Sequence, residues 1–197
     1  MVLHHNIMVS TSKEKIIKLL LENKNNLLSI REISKKCEIN YKSAYNAIES
    51  LKKENLIKIN NSNKTKFCSL TNIFSPLLFK VEYNRKIEII NKYKLKPLLN
   101  TLENIKKEHI TILFGSYIKG TNNKNSDIDL LIISEKEKEI SQELEILPLD
   151  LHITYLTINE FLKMANSKEF SIVREVLEKN IILVGIENYY RLLKNVI

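Results

Sequence analysis

Apolar positions in the first part of the chain recur at helical spacing three times, then switch to a strand rhythm. Thr11-Ser-Lys-Glu14 is a capping box, and Ile16, Ile17, Leu19, Leu20 and Leu21 after it predict a first helix, closed by Asn25-Asn26. Ser29-Ile-Arg-Glu32 repeats the signal and opens a short helix that runs through Ile33 to about Cys37. Asn40 caps a third helix, Tyr41 to about Glu54, with Ala44, Ala47, Ile48 and Leu51 facing inward. Leu56 to Ile59, a turn at Asn60 to Asn63, and Lys64 to Leu70 predict a two-stranded hairpin. Residues 73–107 read as a helical connector, with Pro97 near a helix start or a bend. Beyond it, Ile110 to Phe114 and Asp127 to Ile133 are apolar runs of strand type, separated by a polar loop that begins at Gly115-Ser116. A further strand holds Asp150 to Tyr155, and Ile181 to Val184 ends at Gly185.

Three short helices and a hairpin resemble the winged helix-turn-helix family of transcriptional regulators, over residues 10–72. That resemblance implies that the third helix lies in the major groove of double-stranded DNA. Its outward residues there are Tyr41, Lys42, Ser43, Tyr45 and Asn46, with Lys64 and Lys66 of the wing near phosphates. Winged helices also serve as protein-interaction and dimerisation modules, so a homodimer stays open.

Charge sharpens the division of the chain. The net charge is +8, yet residues 1–110 hold 21 basic against 10 acidic side chains and residues 111–197 hold 10 against 13. A basic part joined to a mildly acidic one suggests a polyanion-facing module attached to something else. With 44% hydrophobic and 27% charged residues the composition is that of a globular protein, and no apolar run is long enough to cross a bilayer. The N-terminus lacks a secretion signal, and Cys37 and Cys68 offer neither a disulfide framework nor a closely spaced metal-ligand pair. A soluble cytoplasmic protein, with no membrane partner, is the expectation.

Scarcity marks the candidate chemistry. Of 23 acidic residues only Asp127, Asp129 and Asp150 are aspartate, and the only glycines are Gly115, Gly120 and Gly185. Asp127 and Asp129 sit two apart on a strand, so their carboxylates share one face at roughly 7 Å. Asp150, His152 and Thr154 share a face of another strand by the same alternation. Three carboxylates facing a glycine-serine turn suit a hard divalent cation and the chemistry of phosphoryl or nucleotidyl transfer. Ser116 adds a hydroxyl at the start of a short helix.

Gly115-Ser-Tyr-Ile-Lys-Gly120 with Ser126-Asp-Ile-Asp-Leu130 resembles the minimal nucleotidyltransferase domains of the DNA polymerase β superfamily. The likeness extends through Asp150 to Gly185, and residues 108–197 are assigned to it. The fold expected is therefore α/β (α+β): an N-terminal winged helix-turn-helix followed by a C-terminal mixed-sheet polymerase-β-like nucleotidyltransferase. The resemblance implies transfer of a nucleoside monophosphate from a nucleoside triphosphate, with two Mg2+ ions, onto an acceptor hydroxyl. By resemblance, Gly115 and Ser116 hold the triphosphate, Asp127 and Asp129 bind the metals, and Asp150 is the third carboxylate that helps activate the acceptor. Lys119 stands where many relatives carry arginine; it keeps the charge for phosphate without the guanidinium fork.

Small members of that superfamily include antitoxins that modify a partner toxin protein with AMP. By that analogy ATP is the expected donor and a partner protein the expected acceptor, with DNA binding linking modification to transcription. Two alternatives stay open: a DNA-binding regulator whose second domain senses nucleotide without transfer, and transfer to RNA ends or a small-molecule hydroxyl.

Overall fold

The computed structural model describes residues 10–62, 65–71, 73–123, 126–167, 169 and 171–196, in two compact units, Met1–Thr71 and Asn72–Ile197.

In the first unit, α1 (Ser12–Glu22) starts where the Thr11 hydroxyl accepts the Glu14 N–H, and it ends at Asn23, two residues before the expected Asn25-Asn26. The reason is local: Asn23 turns its side-chain amide onto the Leu19 carbonyl at 2.8 Å. The next helix, α2 (Ile30–Lys36), opens on a complete Ser29–Glu32 capping box, and α3 (Tyr41–Lys53) is capped by Asn40. Their inner faces meet on Ile16, Ile17, Ile33, Ala44, Ile48 and Leu51, all buried.

Three strands form the wing. A two-residue strand β1 (Leu28–Ser29), absent from the sequence expectation, pairs with β3 (Thr65–Leu70), which also pairs with β2 (Ile57–Ser62), all antiparallel. Asn60 to Ser62 are therefore strand residues, aligned with Phe67, Lys66 and Thr65, and not the expected turn. Pairing with β3 overrides the low strand preference of asparagine. Cys37 and Cys68 are buried free thiols, and burial pushes the Cys68 thiol up to about 11.

The second unit begins with α4 (Pro76–Lys92) and α5 (Lys96–Asn104), each with proline in its first turn. The segment read from sequence as a connector is thus part of this unit: Ile90, Leu95, Leu98, Leu99 and Leu102 belong to its core. There follow β4 (Ile110–Leu113), α6 (Ser116–Lys119), β5 (Ile128–Ile133), α7 (Glu137–Leu144), β6 (Leu151–Leu156), α8 (Ile158–Ala165), α9 (Ile172–Glu178), β7 (Ile181–Val184) and α10 (Ile186–Leu193). The sheet is mixed, in the order β6-β5-β4-β7; β5 and β6 run parallel, joined across α7, and the other pairs are antiparallel.

Alternation along the strands splits the apolar residues between two faces. Leu113, Ile128, Leu130, Ile132, Ile181 and Leu183 pack with α5 and α7, while α10 lies on β4 and β7 and α8 on β6. A buried polar network clamps α4 to the start of β7. Glu82 pairs with Arg85 and accepts the Tyr190 hydroxyl at 2.6 Å; Arg85 donates to the Asn180 carbonyl at 3.0 Å. The Tyr190 hydroxyl is held well above its ordinary pKa by burial and by the Glu82 carboxylate.

Candidate active site

Backbone pairing at one end of the mixed sheet assembles the scarce residues. Ile128 of β5 aligns with Leu151 of β6 and Asp129 with His152, and the Ile128 N–H donates to the Asp150 carbonyl at 2.9 Å. Continuing that register by one residue puts Asp127 abreast of Asp150. Period-two alternation then sets Asp127, Asp129, Asp150 and His152 on one face. Asp127 and Asp150 precede their strands and are exposed; Asp129 lies within β5 and is half-buried.

The glycine-serine turn meets them from the other side. β4 runs antiparallel to β5, and the Phe114 N–H donates to the Asp129 carbonyl at 3.1 Å, which delivers Gly115 beside Asp129. Gly115 has φ +69°, and a Cβ on it would lie 2.0 Å from Asp129 Oδ2. Both its backbone angle and the carboxylate against it require glycine. α6 begins at the next residue, half-buried Ser116, and closes on Gly120 at φ +75°.

Side chains fix parts of this array. The His152 Nδ1–H donates to Asp129 Oδ1 at 3.1 Å, leaving Oδ2 toward Gly115. Lys119, at the end of α6, forms a 2.7 Å ion pair with Glu175 of α9. The polar loop is pinned by Ser126, whose hydroxyl accepts the Asn123 N–H at 2.9 Å. Among the described residues no three His, Cys, Asp or Glu side chains close around a single point as a metal cluster. The donors nevertheless suit a hard cation: they are carboxylate oxygens on one face, two of them open to water, and the space against Asp129 at Gly115 is one that a Cβ would fill. A groove of about 620 Å³ lies at the opposite end of the sheet, where Lys106, Lys107, His109, Lys136 and Arg191 line it, away from the carboxylates.

The first unit carries its own candidate surface. Tyr41 and Tyr45 of α3 stack at 6.4 Å between ring centroids, and the Lys66 ammonium of β3 sits 5.5 Å from the Tyr45 ring. These three line a groove of about 750 Å³ together with Arg31, Ser34 and Lys35 of α2. Lys42 and Asn46 are exposed on α3 outside that lining, Ser43 is half-buried with its N–H held by Asn40, and Lys64 lies outside the described residues. The α2 residues were missed by the sequence reading. Their signal was present, since Arg31 and Lys35 are four apart on one helix face.

Comparison with known proteins agrees with this division. Residues 93–188 match the family model described as polymerase beta, nucleotidyltransferase. The second unit carries a polymerase beta-type nucleotidyltransferase domain. Residues 12–65 match a model described as an HTH domain. No curated protein matches the chain. Similar solved structures include the adhesin competence repressor AdcR from Streptococcus pyogenes, 21% identical with a TM-score of 0.36 over 48% of this chain and 69% of that one. Lactococcus lactis ZitR in complex with DNA is 20% identical, TM-score 0.36, over 47% of this chain and 63% of that one. Reduced HlyU from Vibrio cholerae is 20% identical, TM-score 0.33, over 41% and 79%. The nucleotidyltransferase match begins at Tyr93, just after α4, and spans α5, the glycine-serine turn and all three aspartates. Among the described residues, no helix is long and apolar enough to cross a membrane.

Proposed function

We infer that the nucleotidyltransferase domain transfers a nucleoside monophosphate, AMP from ATP, to a hydroxyl on a partner protein, and that the HTH domain binds double-stranded DNA. The observation that carries the first part is the meeting of Asp127, Asp129 and Asp150 on one sheet face beside the Gly115-Ser116 turn. Asp127, Asp129 and Asp150 would hold magnesium, which when bound would supply Lewis-acid neutralisation of the triphosphate charge and acidify the acceptor hydroxyl. Gly115 lets the triphosphate approach the backbone, the Ser116 hydroxyl donates to it, and Lys119 exchanges Glu175 for a phosphate oxygen. The acceptor oxygen forms a bond to the α-phosphorus as the bond from that phosphorus to the bridging oxygen breaks. Pyrophosphate leaves with the electron pair, and the hydroxyl proton passes to the exposed Asp150 carboxylate. His152 holds one of the Asp129 oxygens in place.

A second reading, nucleotide sensing without transfer, draws on the Lys119–Glu175 pair. Nucleotide phosphates competing for Lys119 would release a tie between α6 and α9.

One experiment separates the two. NTPs labelled at the α-phosphate, with Mg2+, are incubated with the protein and a lysate of its source, with Asp127→Ala alongside. Products are then resolved into protein, nucleic acid and small molecules. Label in the protein fraction with wild type alone is the expected result. Nucleotide binding with no label in any fraction, together with DNA affinity that changes with ATP, would instead establish sensing.

A further inference from the structure

β6 is an edge strand whose free side runs straight to Asp150. Its partner bonds set the phase: Ile128 N–H reaches the Asp150 carbonyl and Ser134 N–H the Leu156 carbonyl, so residues 150, 152, 154 and 156 turn their backbone groups to β5. The N–H and C=O groups of Leu151, Ile153 and Tyr155 therefore point to the open side, and no described residue hydrogen-bonds them. Open edges are ordinarily blunted by proline, lysine, a bulge or a covering element. Leu151 to Leu156 contains no proline and no lysine, and its register with β5 is continuous through all six residues. β4 is fully buried; β6 is half-exposed along most of its length.

Charge selects what can pair there. Between residues 135 and 150 the chain carries Glu135, Glu137, Glu139, Glu143, Glu145 and Asp150 against two lysines. Glu137 and Glu145 are close enough to raise the pKa of the Tyr155 hydroxyl, although burial is the larger cause. A polyanion is repelled by such a flank, and a second copy of the strand would set the same carboxylates against each other. A lysine- or arginine-rich extended segment is attracted to it.

We propose that the β6 edge docks an extended, basic segment of a partner protein by strand addition, with backbone bonds to Leu151, Ile153 and Tyr155, and so presents a hydroxyl side chain abreast of Asp150. Strands pair about 4.8 Å apart, which puts a residue opposite Asp150 within side-chain reach of its carboxylate. Only the role given to Asp150 rests on the transfer reading above; the docking does not.

The test uses the full chain, 15N-labelled and without nucleotide. The probe is an octapeptide of alternating lysine and valine with one tyrosine, blocked at both ends. Saturable shifts centred on the amides of Leu151, Ile153 and Tyr155 are expected. Ile153→Pro removes an outward N–H without costing a bond to β5, and it should weaken binding by about tenfold or more. Glu137→Lys with Glu145→Lys, on the exposed surface, should do the same with unchanged melting, and a glutamate-valine peptide should not bind. Shifts mapping away from β6, or wild-type affinity in the double lysine variant, would overturn the proposal. So would a dimer in sedimentation that Ile153→Pro dissociates, since a second copy would then be the occupant. Adding labelled ATP afterwards separates the two readings: a peptide that docks on β6 without accepting label supports the docking while counting against transfer. Label on a peptide that leaves β6 unperturbed supports transfer and sinks the docking.

Discussion

Gly115 and Gly120 both sit at positive φ in the same short loop, yet alanine should affect them differently. At Gly120 a Cβ meets nothing within 4 Å, so Gly120→Ala bears only the left-handed backbone cost, about 1–2 kcal/mol. At Gly115 the same Cβ falls 2.0 Å from Asp129 Oδ2 and pushes the carboxylate off its position. Gly115→Ala should therefore cut nucleotidyl transfer by about a hundredfold or more, the scale expected when a catalytic group is displaced by about 1 Å. Gly120→Ala should lower the melting temperature and keep most activity. Equal activity in the two variants would remove the special role of the Asp129 contact. Cys68 supplies a pH prediction. Its folded pKa of about 11 lies above the ordinary thiol value, so the folded state binds the extra proton between them. Stability from this group is complete below about pH 9 and declines as pH rises toward 11. Alkylation of Cys68 at pH 8 should accordingly wait on unfolding, which iodoacetamide labelling with mass spectrometry reads directly. At this scale the sequence was informative because aspartate and glycine are so rare in it. The steric reason for Gly115 was not visible, since the carboxylate that needs the space comes fourteen residues later and arrives through strand pairing.

Elements defined by local signals were readable, and those made by pairing were not. The Ser29–Glu32 and Asn40 caps place α2 and α3 because each cap satisfies N–H groups of its own first turn. β1, two residues long, has no periodicity to detect and exists only because β3 lies beside it. Burial of α4 was equally hidden: Glu82 and Arg85, three apart on a helix, look like a surface ion pair, yet both are almost fully buried. That difference can be measured. Glu82→Ala leaves Arg85 charged and unpaired in the interior and frees the Tyr190 hydroxyl, which should cost about 3–5 kcal/mol. Glu54→Ala breaks the exposed Lys13–Glu54 pair and should cost under about 1 kcal/mol. Urea unfolding of both variants gives the comparison, and similar losses would mean that the Glu82 network is not the clamp described.

Across the whole molecule the charge asymmetry is shallower between the two folded units than between residues 1–110 and 111–197. Residues 1–71 hold 13 basic and 6 acidic side chains, whereas residues 72–197 hold 18 and 17. The lysines of residues 73–107 belong with the nearly balanced second unit, which leaves a net +7 on the first unit, the one that holds the groove lined by Arg31, Lys35 and Lys66. If that groove takes the phosphate backbone of DNA, affinity must fall with salt through counterion release, each neutralised phosphate adding about −0.9 to the slope of log K against log salt. Lys66→Ala and Arg31→Ala should each shallow that slope by about that amount and weaken binding alike on all sequences. Asn46→Ala, on the exposed face of α3 outside the groove, should leave the slope unchanged and alter sequence preference if α3 reads base edges. Fluorescence anisotropy on one duplex at several salt concentrations, repeated on a scrambled duplex, tests both. Slopes unchanged in Lys66→Ala and Arg31→Ala would move the DNA contact off the groove, because a lost phosphate contact cannot leave the counterion term intact.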